Sequence, residues 1–418
     1  MADSKADDCA PTGSPLLSVE QGRQRILDAV AVIGETERLA LGELSGRVLA
    51  ESVVSAIDVP PFDNSAMDGY AVRSADCNAA ETRLDVIGTC FAGSPFSGEL
   101  KDGQCVRIMT GAVLPAGADA VVMQEHVRRE GDSIFLQDRQ PEAGENVRYS
   151  GEDTKRGDQV LEAGTRLGAA QIGLLASVGV AEVPVRRRLR AAFFSTGDEL
   201  TTVGATLAPG QIYDSNRYTL HALLSEAGVS CRDLGVIADD REAVRAAFRQ
   251  ASEQADLVLT SGGVSVGEAD YVTETLQELG EINFWRMAVK PGKPVAFGRL
   301  QQAWFFGLPG NPVSVVASFY QFVLPAIRKM QGESPRTPLI IPARSAGALR
   351  KSPGRMEFQR GVLARDDQGQ WQVTSSGRQG SHLLTSMTRA NCFILLPADS
   401  AGVEPGEVVD VQPFCDFG

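Results

Sequence analysis

The chain has 418 residues, 43% of them hydrophobic, enough for two to four domains with separate cores. Its 40 basic and 53 acidic residues leave a net charge of −13, which favours solubility and argues against nonspecific nucleic-acid binding. An anionic ligand must then be held by local basic groups or backbone amides, and no apolar run approaches the ~20 residues that span a bilayer.

Residues 1–17 are polar and acidic and carry no secretory pattern; a disordered tail is expected there. Ser18 with Gln21 reads as a capping box that opens a helix bearing Val19, Ile26, Leu27 and Val30. From about Ala50 to Val183, short apolar runs alternate with Gly and Pro, among them Val86-Ile87-Gly88, Val106-Arg107-Ile108 and Ala120-Val121-Val122-Met123. That texture predicts β-rich modules. From Arg188 to Met330 strand-like and helix-like stretches alternate. Leu189–Ser195, Leu257–Leu259 and Trp304–Phe306 read as strands. Leu220, Leu223, Leu224 and Ala227 fall at helical spacing, as do Ala243, Val244, Ala247, Phe248 and Ala251, behind Asp239 and Asp240 as caps; Val272, Leu276 and Leu279 mark a third helix. This rhythm predicts a mostly parallel sheet covered on both faces. Beyond Gly332-Glu333-Ser334-Pro335 lie about eighty residues of short strands without a clear helix, expected as a small all-β domain.

Seven cysteines, Cys9, Cys77, Cys90, Cys105, Cys231, Cys392 and Cys415, are scattered without a CxxC pair. They read as thiols of a protein in a reducing cytoplasm rather than a disulfide frame or a zinc site. Three histidines argue against a His-rich metal centre.

In an open α/β sheet, ligands bind beyond the carboxyl ends of the strands. Three polar loops follow predicted strands: Ser195-Thr196-Gly197-Asp198-Glu199, Thr260-Ser261-Gly262-Gly263-Val264-Ser265 and Gly307-Leu308-Pro309-Gly310-Asn311-Pro312. Glycines let amides approach an anion, hydroxyls add donors, and Asn311 before Pro312 suits a helix start whose positive end faces the third loop. Taken singly, each loop is equally well a plain chain reversal; three on one edge favour a phosphorylated ligand. None matches a Walker loop or GxGxxG. Asp198, Glu199, Asp239, Asp240, Glu268 and Asp270 gather there too, readable as surface acids and helix caps, as for Asp240, or as oxygen ligands for Mg²⁺ beside a phosphate site. Lys290-Pro291-Gly292-Lys293-Pro294 sets two lysines in a stiff loop that can point at anions. The segment Pro60-Pro61-Phe62-Asp63-Asn64-Ser65-Ala66-Met67-Asp68-Gly69-Tyr70-Ala71 is either a structured turn with Asx turns at Asp63 and Asn64 or part of a site. Composition leaves both readings open.

The blocks PPFDNSAMDGYAV (60–72), RIMTGA (107–112), FFSTGDEL (193–200), GQIYDSN (210–216), TSGGVSVGEADY (260–271), VKPGKP (289–294) and GLPGNPVS (307–314) resemble, in order, the signatures of the MoeA/gephyrin E-domain family of molybdopterin molybdotransferases. The resemblance implies an L-shaped subunit in a homodimer with its cleft between subunits. It implies domain I at 18–59 and 147–186, domain II at 60–146, domain III at 187–332, similar to molybdopterin adenylyltransferases, and domain IV at 333–418. The implied reaction moves molybdenum from molybdate into adenylylated molybdopterin with Mg²⁺-dependent release of AMP. Asp63, Thr110, Glu199, Asp239 and Asp270 take catalytic positions, and Glu199, Asp239 and Asp270 also the metal. Arg148, Ser195, Thr196, Gly262, Gly263, Ser265, Arg286, Lys290, Lys293, Pro309, Gly310, Asn311, Arg360 and Ser381 take substrate-binding positions. The block around Arg148 is looser, and Arg286 stands where some relatives carry lysine. Molybdate is a tetrahedral dianion, so Thr, Ser, Arg and backbone amides are its expected partners.

Three other readings share the α/β domain: a molybdopterin adenylyltransferase, a non-catalytic scaffold and a nucleotide-pyrophosphate hydrolase. The PPFDNSAMDGYA block and the terminal β domain weigh against the first and third. The lack of a fused adenylyltransferase domain weighs against the second, although such an enzyme stays an expected partner.

Overall fold

The computed structural model describes residues 16–78, 81–137, 140–262 and 271–414. The chain divides into two compact units, Arg38–Val185 and the stretches flanking it. Among the described residues, no helix is long and apolar enough to cross a membrane.

In the flanking unit, helix Val19–Ala29 starts at the expected capping box, with Ser18 and Gln21 each bonding the other's backbone. Its buried residues Val19 and Ile26 join the main core with Met287 and Phe322. The expected tail lies outside the described residues except at its end, where Leu17 is already paired: its amide donates to Arg286 and its carbonyl accepts from Ala288.

The centre of this unit is a six-stranded sheet. Strand Arg190–Thr196 is buried at every residue after the first, because its alternate side chains enter opposite cores. Phe194 packs with Val244, Phe248 and Phe305 under helices Arg241–Gln254 and Tyr271–Leu279. Phe193 packs with Leu220, Leu224, Leu259 and Phe306 under helix Ser215–Glu226 and the helical run from Pro312 to Met330. Asp240 caps its helix as expected, accepting from the amides of Glu242 and Ala243.

Strands Ser230–Ile237, Arg190–Thr196, Leu257–Ser261 and Ala303–Leu308 lie side by side and parallel. The next two, Pro294–Leu300 and Gly280–Arg286, pair antiparallel, so the sheet is mixed. The reason is local. Only Gln301 and Gln302 join Pro294–Leu300 to Ala303–Leu308, and two residues make a hairpin but never a parallel crossover. Gln301 takes φ 52° there.

The C-terminal module is β-rich, with Ala343, Val373, Ile394, Leu396 and Val411 in its core. It also holds one helical turn, Thr385–Thr388, where the sequence predicts none; four residues are too short for a periodic signal. Strand Val289–Lys290 pairs with this module at Met356 and Glu357.

In the Arg38–Val185 unit, the three expected strands belong to Glu81–Cys90, Gln104–Ile108 and Ala120–Met123 of a second six-stranded sheet. Alternation again fills two cores: Tyr70 and Val72 pack with Leu84, Cys105 and Ile134, while Ala71 packs with Val106, Ile108 and Val121. A Cβ at Gly69 would lie 2.1 Å from the Val122 carbonyl oxygen, so this strand closes against its neighbour only with glycine.

Candidate functional site

Two groups of candidate residues form, one in each unit. In the Arg38–Val185 unit the Pro60–Ala71 segment is zipped on both sides. Asn64 and Ser65 pair with Arg148 and Val147. Ser65 exchanges backbone bonds with Ala112 and Gly111 at 3.0 and 2.8 Å, and Leu114 donates to the Asp63 carbonyl at 2.9 Å. This puts Asp63, Thr110 and Arg148 on three adjoining stretches of backbone. The Asp63 carboxylate accepts the Ser150 amide at 2.8 Å. It therefore bonds across the fold, not into the local Asx turn that was one reading of this segment; Asn64 donates to the Phe62 carbonyl at 3.2 Å. Thr110 and Arg148 are exposed. Asp68, which the sequence did not single out, accepts both the amide and the hydroxyl of Thr110, at 2.8 and 2.7 Å. The Thr110 amide, and then its hydroxyl, hold the Asp68 carboxyl below the usual range.

In the flanking unit, the three expected loops do leave one sheet edge, since their strands are adjacent and parallel. The Gly262 amide donates to the Leu308 carbonyl at 3.1 Å. A Cβ on Gly262 would sit 3.0 Å from the Thr196 carbonyl oxygen, and one on Gly310 3.9 Å from Gly262 Cα, so Thr196, Gly262 and Gly310 form one patch. Ser195 faces inward. It is fully buried, and its Oγ lies 2.9 Å from Ser261 Oγ. Pro309 is buried as well, while Gly310 and Asn311 are exposed. Gly263, Ser265 and Asp270 lie outside the described residues.

Asn311 occupies the cap position ahead of Pro312 but makes no side-chain capping bond. The first-turn amide of Val313 instead donates to the carbonyl of Ser381 at 3.1 Å, so a backbone oxygen takes part of the positive helix end that the sequence assigned to a ligand. The Gly310 carbonyl accepts from Asn216 Nδ2 at 2.7 Å. Asn216 sits in the first turn of a helix capped by Asp214, which is 2% exposed and has Arg217 Nε 3.4 Å from its second oxygen. The block GQIYDSN thus braces the third loop, a role with no signal in local sequence.

Glu199 and Asp239 are exposed and follow neighbouring strands that pair at Thr196 and Ile237. Glu199 folds back over Gly197: a Cβ there, at φ 144°, would lie 2.6 Å from a Glu199 carboxylate oxygen. Among the basic candidates, Lys290 Nζ lies 3.3 Å from Glu357 Oε1, a carboxylate whose side chain is 8% exposed. The lysine is thus already paired, where the sequence left it open to an anion. Arg286 keeps a buried Nε without a hydrogen-bond partner. The Lys293 carbonyl accepts the Met287 amide at 2.7 Å. Arg360 is 1% exposed. It donates to Ser386 Oγ and the Gly380 carbonyl, both at 3.1 Å, and burial pulls its guanidinium down to about 10. It frames the loop that carries Ser381.

Residues 17–179 match the MoeA N-terminal region (domain I and II), 192–329 a probable molybdopterin binding domain and 342–414 the MoeA C-terminal region (domain IV). A molybdopterin molybdenumtransferase of Haemophilus influenzae is 47% identical over 96% of this chain and 99% of its own length. The chain belongs to the MoeA family. Another MoeA relative, the molybdopterin molybdenumtransferase of Nostoc sp., is 38% identical over 95% of this chain and 93% of its own. A crystal structure of the molybdopterin biosynthesis MoeA protein from Pyrococcus horikoshii OT3 aligns with TM-score 0.84 and 31% identity, covering 96% of this chain and all of that one.

For a MoeA chain the donor set at the strand ends suits a hard cation: Glu199 and Asp239 offer exposed carboxylate oxygens of the kind that Mg²⁺ takes. Among the described residues no three His, Cys, Asp or Glu side chains gather as a closed metal site, and the third expected ligand, Asp270, lies outside them.

Proposed function

We propose that this chain is a molybdopterin molybdenumtransferase that inserts molybdenum from molybdate into adenylylated molybdopterin, with Mg²⁺-dependent release of AMP. The observation that supports it is the match to molybdopterin molybdenumtransferases over nearly the whole of both chains. In this reading the Thr196–Gly262–Gly310 patch takes the phosphate part of the substrate, helped by Lys293 and Arg286, with Lys290 held in place by Glu357. Glu199, Asp239 and Asp270 hold Mg²⁺, which when bound neutralises phosphoryl charge and orients water. In the Arg38–Val185 unit, Asp63 and Thr110 take the expected catalytic roles and Arg148 the expected substrate-binding role. Arg360 keeps the Ser381 loop in shape.

The working form is a homodimer, so sedimentation at micromolar concentration gives twice the chain mass; a fully active monomer rules this out. An adenylyltransferase that supplies the substrate is the partner, in a reducing cytoplasm that suits the buried, unbridged thiols of Cys77, Cys90, Cys105 and Cys392.

The deciding experiment mixes purified protein with adenylylated molybdopterin, Mg²⁺ and molybdate, and follows AMP and active cofactor. AMP release that requires molybdate is the expected result. Release at the same rate without molybdate identifies a simple hydrolase and ends the proposal.

A further inference from the structure

The contact between Asp68 and Thr110 limits what Thr110 can do to a ligand. Its two hydrogen bonds converge on one oxygen, from the Thr110 amide at 2.8 Å and the hydroxyl at 2.7 Å. An ionised carboxylate has no proton to give, so the proton in the second bond is the threonine's. A charge-assisted bond of this length is stronger than one to water or to a neutral oxygen, so the hydroxyl keeps its proton on Asp68 and turns only lone pairs outward. The Asp68 carboxyl, held below its usual range by these bonds, stays ionised at neutral pH.

Both partners are fixed by backbone. Gly111, at φ 80°, follows Thr110 and donates to the Ser65 carbonyl at 2.8 Å. The Asp68 carbonyl accepts the Gln124 amide at 3.2 Å. Thr110 is exposed, so a ligand can reach this residue from outside the fold.

We infer that Asp68 is a positioning residue that takes the Thr110 hydroxyl proton, so that Thr110 meets the substrate as an acceptor facing an N–H of the pterin, not an oxygen of molybdate or phosphate. Oxyanions at neutral pH offer only lone pairs, and lone pairs against lone pairs repel. A pterin carries an amino group and ring N–H donors, which fit. Among the threonines expected in general as partners of the dianion, this leaves Thr110 out, and it rests on the transferase reading above.

The test uses the full chain and the variants Thr110→Val, Asp68→Ala, Asp68→Asn and Asp68→Ala/Thr110→Val, all checked by thermal melting. Thr110→Val and Asp68→Ala should each raise KM for adenylylated molybdopterin roughly threefold to tenfold, the range that one hydrogen bond supplies. KM for molybdate and the Mg²⁺ requirement should stay put. The double variant should be no worse than Thr110→Val alone, because both changes remove the same contact. Asp68→Asn keeps an acceptor oxygen and should recover most of the loss. A raised molybdate KM, a raised Mg²⁺ requirement, or additive effects would each overturn the inference. Direct binding of adenylylated molybdopterin to the same variants keeps the two readings apart: a wild-type protein that binds it through Asp68 but transfers no metal fails only as a transferase.

Discussion

In the Arg38–Val185 unit the polar side chains of the site are exposed or half-buried and are anchored by backbone amides: Asp63 by Ser150, Asp68 by Thr110. At the strand ends of the flanking unit the hydroxyls of Ser195 and Ser261 are buried and paired with each other, and Gly262 has no room for a side chain beside Thr196 without a shift. The difference teaches where chemistry and stability separate. A group held by a backbone amide can lose its charge and keep its bond, so the fold hardly notices. A group inside the sheet edge cannot change without disturbing its partner.

The sharpest way to break this contrast is Asp63→Asn. The amide oxygen of Asn still accepts from Ser150, so stability should stay within about 0.5 kcal/mol, as for most substitutions away from a core. Transfer activity should fall roughly 100-fold, about 2.7 kcal/mol in the barrier, if the charge serves the chemistry. Paired assays of AMP release and urea unfolding read both quantities; an active, destabilised variant would reverse the assignment. Next in size is Arg360→Ala. It leaves Ser386 Oγ and the Gly380 carbonyl without their buried donor, and should cost about 2–3 kcal/mol of stability. If unfolding is unchanged while only substrate affinity drops, Arg360 is a ligand contact and not the frame of its loop. Gly262→Ala comes third. At φ 88°, with a Cβ 3.0 Å from the Thr196 carbonyl oxygen, the change should cost about 1–2 kcal/mol from the left-handed backbone alone. Substrate affinity should fall with it, since the same atoms line the patch; an unaffected melting curve would show that the loop can relax.

Much of the flanking unit was legible because its signals are local. The capping box at Ser18 and Gln21, the helical stripe from Ala243 to Ala251 and the three strands that end in polar loops each lie within a single helix or strand segment. Adjacency of those loops followed from one topological rule. Long-range pairings were not legible. Asp68 and Thr110 lie 42 positions apart in the chain, and Lys290 meets Glu357 through a strand of two residues, too short to carry a pattern. The antiparallel end of the sheet was hidden for another reason: its hairpin turns on Gln301 and Gln302, which carry none of the Gly, Asn or Asp signals that mark a tight turn. Sequence alone therefore named Ser195 as a ligand contact from its place in a polar loop, with nothing to reveal that its hydroxyl points inward.

Ser195 is where the contrast can be tested most finely. If its hydroxyl serves only Ser261, Ser195→Ala leaves a buried Ser261 oxygen without its partner, and Ser261→Ala does the same to Ser195. Each should cost about 1 kcal/mol, the low end for an orphaned buried group. The double variant replaces both hydroxyls with methyl groups of similar shape and orphans neither. Its loss should be well below the sum of the singles, a coupling that a double-mutant cycle in urea reads directly. Affinity for adenylylated molybdopterin should follow stability and nothing else. A different result is easy to recognise: additive singles with a separate drop in affinity for Ser195→Ala would mean that the hydroxyl turns outward when substrate binds, and that the two clusters differ less than their resting geometry suggests.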